Sequence, residues 1–121
     1  MDPMPAPEIR AAMAKLDAWH RRGSLIHREY TFGDFPLAIA FVNAVAAAAE
    51  SALHHPDIDI RWNRVRLALT THDAGGLTEL DFVLAARCDA LAKPGSSVSR
   101  RAPGPRPAGK TPGRGARRRP R

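Results

Sequence analysis

The chain has 121 residues, with 19 Lys plus Arg against 12 Asp plus Glu and a formal net charge of +7. A chain of this length holds one compact domain, which excludes a second enzyme domain. The single cysteine, Cys88, excludes an internal disulfide and a cysteine-based zinc site. No run of consecutive apolar residues approaches the ~18 that a membrane helix requires, and residues 1–10 lack the pattern of a signal peptide. We therefore expect a cytoplasmic protein.

The positive charge is concentrated at the C-terminal end. Nine of the 19 basic residues come at or after Arg100, where there is no acidic residue, so residues 1–99 keep ten bases against all 12 acids. Residues 94–121 are rich in Pro, Gly and Arg, and they cannot bury enough apolar surface to offset an ordering cost of roughly 1 to 2 kcal/mol per residue. We predict a folded domain over residues 1–93 and a disordered basic tail over 94–121. The tail is either a solvated segment without a partner or an arm that binds a polyanion such as nucleic acid weakly.

The first half of the predicted domain contains a helix, a hairpin and a second helix. Apolar residues at helical spacing predict an amphipathic helix over about 7–19. Alternating apolar and polar residues over 25–32 predict a strand, and residues 19–22 are a candidate first arm of a short hairpin. Asp34 comes just before Phe35-Pro36, and a cap followed by an early proline is typical of a helix start. A period of 3.6 continues that helix over 35–53.

The second half contains another hairpin and a last helix. Pro56 ends the long helix. Alternation over 58–62 and again over 65–69 predicts two strands, and the change of parity between them requires a tight turn or bulge. Thr78 caps a helix that runs to about residue 92. The order α-β-β-α-β-β-α, without βαβ spacing, predicts an α+β fold in which a four-stranded antiparallel sheet carries three helices on one face.

Three of the five histidines, His54, His55 and His72, lie at the ends of predicted elements, where side chains can converge on a cleft. Glu50 precedes His54 by four residues, so a helix that included both would bring the carboxylate beside the ring and orient it. The alternative for His54 and His55 is a C-terminal cap, because histidines in a last helical turn interact well with the helix dipole and the free carbonyls. Spacing alone leaves both interpretations open.

Asp81 follows Thr78 by three residues, a spacing typical of a capping box. A first-turn acid favoured by the helix dipole and a role in the site are both consistent with this position. A metal site is not indicated, since histidine zinc signatures place two ligands four residues apart on a helix and adjacent histidines rarely chelate one ion. We therefore expect no metal at these histidines.

Six anchor positions recur at fixed spacing, and together they resemble the signature of the pterin-4a-carbinolamine dehydratases. They are Glu50, the segment His54-His55-Pro56 counted as two histidine anchors, Trp62, His72 and Asp81. The resemblance extends from about residue 19 to residue 91 and does not include the tail. The chain differs at Ile58, where many relatives have an aromatic residue, and at Leu53, where others often have a polar one. These differences change the pocket wall, and hence substrate affinity, more than the acid and base.

The resemblance implies the dehydration of 4a-hydroxytetrahydropterin to quinonoid dihydropterin, a step in tetrahydropterin recycling. The reaction needs one proton delivered to the leaving oxygen and another removed from N5, which imidazoles can do without a metal or cofactor. By resemblance, His54 and His72 form the acid/base pair, and His55 holds the pterin or its hydroxyl. Glu50 orients His54, and Asp81 has a supporting role.

The resemblance also implies partners. Animal relatives serve as a dimerisation cofactor for a homeodomain transcription factor, so the alternative function is a non-catalytic interaction protein with a nucleic-acid-binding tail. The family assembles through sheet edges and helices paired across subunits, and an exposed sheet edge needs such cover. We therefore expect a homodimer or homotetramer with a small-molecule pterin substrate and no membrane partner.

Overall fold

The computed structural model describes residues 1–93, so the predicted basic tail lies outside the described residues. The elements are α1 (Ala6–Met13), β1 (His20–Arg22), β2 (Leu25–Thr31), α2 (Phe35–Ala52), β3 (Asp57–Arg61), β4 (Arg64–Leu69), a 3₁₀ helix (His72–Ala74) and α3 (Glu79–Ala92). The strands form one antiparallel sheet in the order β1-β2-β4-β3. With the three helices on one face of this sheet, the predicted α+β architecture and element order are confirmed.

The hairpin between β3 and β4 is tighter than the alternation suggested. Arg61 pairs with Arg64, which leaves Trp62 and Asn63 as the two-residue connection. Trp62 was predicted to belong to the strand, but it occupies the left-handed region at φ 53° and is 69% exposed. A two-residue hairpin loop requires a positive φ at its first position, because only such turns match the twist of the flanking strands. The connection therefore takes Trp62 out of the sheet.

The N-terminal helix is shorter than its periodicity predicted. It ends at Met13, so Trp19 lies in the segment that leads into β1 and not in the helix. Trp19 is buried, and its indole Nε1 donates to the Asp89 carboxylate of α3 at 3.0 Å. The same carboxylate oxygen accepts from Arg28 and from the Tyr30 hydroxyl, and burial together with this bond raises the pKa of Tyr30 above its ordinary value. Tertiary contacts hold Trp19 here and override its helical spacing.

The hydrophobic core lies between the inner sheet face and the helices α2 and α3. The sheet contributes buried side chains from β2 and β4, and each of the two helices contributes one face. Its largest fully buried apolar members are Phe41, Ile26, Leu67, Leu69, Leu77, Val45 and Val65. The core therefore fixes the C-terminal end of α2 against the N-terminal end of α3, where the candidate site lies.

Helix α2 is apolar around most of its circumference. Its buried positions are Ala38, Phe41, Val45 and Ala49, whereas Phe35 is 47% exposed. The helix is long and apolar enough to cross a membrane by length and composition, with a mean hydropathy of 1.5, a test that core helices of soluble proteins also pass. Only 22% of that stretch is buried within the chain. Within residues 1–93, an apolar face of α2 is thus left without cover.

Candidate active site

The two adjacent histidines follow an unusual helix end. Helix α2 stops at Ala52, and Leu53 adopts the left-handed conformation at φ 53°. The backbone N–H of His54 then reaches back to the carbonyl of Ala49 at 3.1 Å, which satisfies one of the free carbonyls of the last turn. A left-handed leucine costs about 1 to 2 kcal/mol, since its Cβ lies too close to the following carbonyl. The turn directs His54 and His55 away from the helical path.

His54 is buried against a carboxylate from the other helix. Its Nε2 lies 2.6 Å from Oδ1 of Asp81, and the two side chains are 9% and 0% exposed. An ionised carboxylate can only accept hydrogen bonds, so Nε2–H donates and Nδ1 is left as the proton acceptor of the neutral ring. This arrangement is a histidine–aspartate dyad in which the aspartate accepts from one ring nitrogen and leaves the other without a partner in the dyad.

Asp81 is itself fixed by the start of α3. Its Oδ2 accepts from the backbone N–H of Thr78 at 2.9 Å and from the hydroxyl of Thr71 at 2.8 Å. The first of these bonds belongs to a capping box, in which Thr78 also caps the helix through its side chain. The two interpretations of Asp81 left open by the sequence therefore hold together, because one carboxylate oxygen caps the helix and the other holds His54.

His55 has a different partner and a different environment. Its Nε2 lies 3.0 Å from Oε1 of Glu50, with the two side chains 63% and 75% exposed. The prediction that Glu50 orients His54 is therefore wrong in this structure, because Asp81 holds that ring. The four-residue spacing assumed a helix that continued through His54, and the left-handed turn at Leu53 breaks that assumption. Glu50 instead pairs with the next residue along.

His72 lies just beyond β4 and does not end that strand as predicted. The strand stops at Leu69, Thr71 forms an isolated bridge with Gly76, and His72 opens the 3₁₀ helix as an exposed side chain. The Thr71 hydroxyl donates to Asp81, and His72 is the next residue along the chain. His72 therefore lies one residue away from the hydrogen-bond network that holds His54. The fold thus brings the predicted residues His54, Asp81 and His72 to one end of the sheet.

Thr71 and Thr78 both bond to the Asp81 carboxylate, and the sequence indicated neither contact. Thr78 was recognised as a cap, but nothing in its spacing indicated that the same turn supports a histidine 24 residues earlier. Thr71 carries no motif of its own, and only its position just before His72 could have drawn attention to it. Within residues 1–93, no group of three or more His, Cys, Asp or Glu side chains is arranged to hold a metal ion.

A large groove of the chain lies away from these residues. It has a volume of about 600 Å³ and lies between α1 and α3, with a wall that includes Met4, Leu16, Phe82 and Val83. None of the three histidines lines it. This groove is therefore separate from the histidine–carboxylate pairs.

The fold and these residues together define the class of an α+β domain with histidine–carboxylate pairs at one end of its sheet. The family model "Pterin 4 alpha carbinolamine dehydratase" matches residues 2–91, and the chain belongs to that family. A protein of Acidobacterium capsulatum is 60% identical over 83 residues, which cover 69% of this chain and 90% of that protein. One from Chloroflexus aurantiacus is 58% identical over 84 residues, with the same coverage of both chains. The names of both assign them provisionally as pterin-4-alpha-carbinolamine dehydratases.

Two solved structures are similar to this chain. One, described as a transcriptional coactivator/pterin dehydratase from Brucella melitensis, aligns with a TM-score of 0.74 and 34% identity, over 76% of this chain and all of that one. The other, described as a pterin dehydratase-like protein that is a RuBisCO assembly factor in the alpha-carboxysome, aligns with a TM-score of 0.56 and 32% identity, over 68% and 95% of the two chains. The family thus includes a protein described by a non-enzymatic role.

Proposed function

We propose that this protein dehydrates 4a-hydroxytetrahydropterin to quinonoid dihydropterin and water in tetrahydropterin recycling. The observation that carries the proposal is the His54–Asp81 dyad, a buried histidine whose Nε2 is bound to a carboxylate at 2.6 Å. The dyad supplies an oriented imidazole, which is the group that general acid/base chemistry requires. Membership of the dehydratase family supports the same reaction.

The chemistry requires two proton transfers. The C4a–O bond breaks as the hydroxyl leaves, and a proton delivered to that oxygen lets it leave as water. The N5–H bond also breaks, and its electron pair forms the C4a=N5 double bond of the quinonoid product. Histidine is suited to both transfers because its ordinary pKa lies near neutral pH, so it exchanges protons readily in either direction. Two imidazoles on the two sides of the C4a–N5 bond are sufficient.

We assign the two transfers to His54 and His72. His54 accepts or donates at Nδ1 while Asp81 holds Nε2. His72 is exposed and follows Thr71 directly, so its ring is free to approach a pterin from the solvent side. His55, with Glu50, is the binder that holds the pterin or its hydroxyl. Glu50 therefore supports binding in this proposal, and Asp81 supports catalysis.

The direct test follows chemically generated 4a-hydroxytetrahydropterin by absorbance. The wild-type protein should accelerate its loss above the spontaneous rate. Positioned acid/base groups typically contribute about 10²- to 10⁴-fold, so His54→Ala and His72→Ala should each lower turnover by that order. If both variants kept the wild-type rate, the catalytic assignment would be wrong. If the wild type did not exceed the spontaneous rate, the proposed reaction itself would be rejected.

A non-catalytic interaction role is the second candidate. It is favoured by the described roles of the two structural relatives and by the apolar face of α2 that its own subunit leaves uncovered. In this role the basic residues 94–121 would contact nucleic acid, and binding would weaken with salt as condensed counterions are released. Deletion of 94–121 distinguishes the two functions, because it should abolish salt-dependent nucleic-acid binding and leave dehydration unchanged.

We also propose that the protein is a homodimer or homotetramer. Strand β3 is an edge of the sheet, and it exposes Ile58 and Ile60 by 36% and 39% next to Trp62. Unpaired edges with apolar side chains are covered in most native proteins. An Ile60→Lys substitution should reduce the mass measured by light scattering toward that of one subunit. An unchanged mass would exclude this edge as the interface.

A further inference from the structure

Three donors converge on the Asp81 carboxylate. Oδ1 accepts from His54, and Oδ2 accepts from the backbone of Thr78 and the hydroxyl of Thr71. Asp81 is fully buried, and His54, Thr71 and Thr78 are each less than 9% exposed. A buried carboxylate is tolerated only when its lone pairs are satisfied in this way. Each bond to Oδ2 therefore constrains where Oδ1, and hence the His54 ring, can lie.

The hydroxyl groups of the cluster have a single consistent direction. The Thr71 hydroxyl lies 2.8 Å from that of Thr78 as well as 2.8 Å from Asp81. Thr71 has one proton, which goes to the carboxylate, so the Thr78 hydroxyl must donate to Thr71. The Thr78 oxygen in turn accepts from the N–H of Leu80 at 3.3 Å. The chain of donors runs from the first turn of α3 through both threonines to Asp81, and such chains strengthen each bond by polarisation.

Thr71 is also the residue that anchors the segment containing His72. Its backbone N–H and carbonyl both pair with Gly76, at 3.2 Å and 3.3 Å, which closes the loop that begins with His72. The side chain of Thr71 therefore contacts Asp81, the partner of His54, and the backbone of Thr71 fixes the chain next to His72.

We propose that Thr71 is a positioning residue that couples His54 to His72 by holding Asp81 with its hydroxyl. Thr71 acts through Asp81 and does not contact the pterin. This inference rests on the proposed function for its kinetic consequence, but the position and tautomer of the His54 ring can be measured without turnover.

Thr71→Val tests the proposal because it removes the hydroxyl at nearly constant shape. Displacement of a catalytic group by about 1 Å can cost up to 10²-fold in rate, so kcat should fall by about 10- to 100-fold while KM changes less than twofold. Thr71→Ser keeps the hydroxyl and should restore kcat to within about threefold of wild type. The matched control is Thr70→Val, which removes the neighbouring hydroxyl and its bond to the Ser24 carbonyl and should leave kcat unchanged.

The measurement independent of turnover is nitrogen NMR of the histidine rings. In the wild type, His54 should be the Nε2–H tautomer with a slowly exchanging ring proton. Thr71→Val should lose that proton's protection and mix the tautomers, whereas Thr70→Val and Thr71→Ser should retain the wild-type signals. If wild-type protein lacked dehydratase activity but gave these spectra, the positioning role would stand and the proposed function would fail.

The proposal is overturned if Thr71→Val keeps both the wild-type kcat and the wild-type His54 signals. It is also overturned if kcat falls with an unchanged His54 spectrum, since the loss would then not pass through Asp81. Should the valine variant fail to fold, Thr71→Ser still decides, because a folded serine variant that lost activity and the His54 tautomer would show that the hydroxyl is not the operative group.

Discussion

His54 and His55 are neighbours in the chain, and each is paired with a carboxylate, but the two pairs differ in burial and in support. The Asp81 partner of His54 is fully buried and its carboxylate accepts two further hydrogen bonds, whereas the Glu50 partner of His55 is 75% exposed and its carboxylate has no further hydrogen bond among residues 1–93. A buried pair holds one geometry because breaking it leaves an unsatisfied charge, and an exposed pair contributes about 0 to 1 kcal/mol. Residue spacing thus selected both histidines but did not indicate that His54 is the one held in a buried pair.

The largest expected difference between the pairs is in catalysis. His54→Ala should lower kcat by about 10²- to 10⁴-fold, because it removes an oriented proton-transfer group. His55→Ala should act mainly on KM, since an exposed binder contributes to the bound substrate and the transition state alike. Steady-state kinetics on both variants checks this. A His55→Ala enzyme with the larger loss of kcat would reverse the assignment of roles.

The second difference is in stability. Asp81→Ala removes a helix cap and leaves His54 and Thr71 without their acceptor, so we expect a loss of about 3 kcal/mol in the free energy of unfolding. Glu50→Ala should change it by less than about 0.5 kcal/mol. Urea denaturation at neutral pH measures both. Equal losses would mean that the buried network contributes no more than the exposed pair.

A third prediction concerns the turn that separates the two partners. Leu53 is 79% exposed and left-handed, so asparagine, which tolerates this conformation, should raise the free energy of unfolding by about 0.5 to 1 kcal/mol. Leu53→Asn should keep kcat, since the directions of both rings are retained. Leu53→Ala is the matched control, because alanine shortens the same side chain without favouring the left-handed region. If Leu53→Asn lowered the free energy of unfolding more than Leu53→Ala does, the claim that the left-handed leucine is strained would be contradicted.

The smallest predicted effect is on the pH dependence of stability and concerns His27, for which no carboxylate partner is found within residues 1–93. The pKa of His27 is lowered by burial and by the charges of neighbouring groups, which are, in decreasing order, Arg66, His20 and Arg22. The folded state therefore resists protonation of His27 more than the unfolded state does, so stability should fall as pH drops below about 6.5. His27→Gln should flatten that part of the stability curve. An unchanged slope between pH 6.5 and 5 would contradict this.

Sequence patterns predicted the element order and the antiparallel sheet, because those depend on local periodicity, and residue spacing selected the candidate histidines. The partners of the histidines depend on contacts between residues far apart, and the His54 bond to Asp81 joins positions 27 apart. The left-handed turn at Leu53 ends the helix before His54, so Glu50 pairs with His55 and not with His54. A leucine gives no sequence signal of that conformation. Trp19 shows the same limit, since a bond to Asp89 takes it out of a periodic helical pattern.

The long helix shows a second limit. Apolar residues recur on more than one face of α2, so the period of 3.6 predicted the helix but not which face is buried. The buried face is that of Ala38, Phe41 and Val45, whereas Phe35 is 47% exposed within residues 1–93. The reason is physical: a helix that is apolar on two faces can serve the core with one and another subunit with the other.

The most direct test of the central claim compares Asp81→Asn with Glu50→Gln in the dehydration of 4a-hydroxytetrahydropterin. Both substitutions remove one negative charge from a histidine partner and change the shape of the side chain very little. We expect Asp81→Asn to lower kcat by at least about 10²-fold. Glu50→Gln should lower kcat by less than about threefold and should act mainly on KM. Equal values of kcat for the two variants would contradict the claim that the buried His54–Asp81 pair performs the proton transfer.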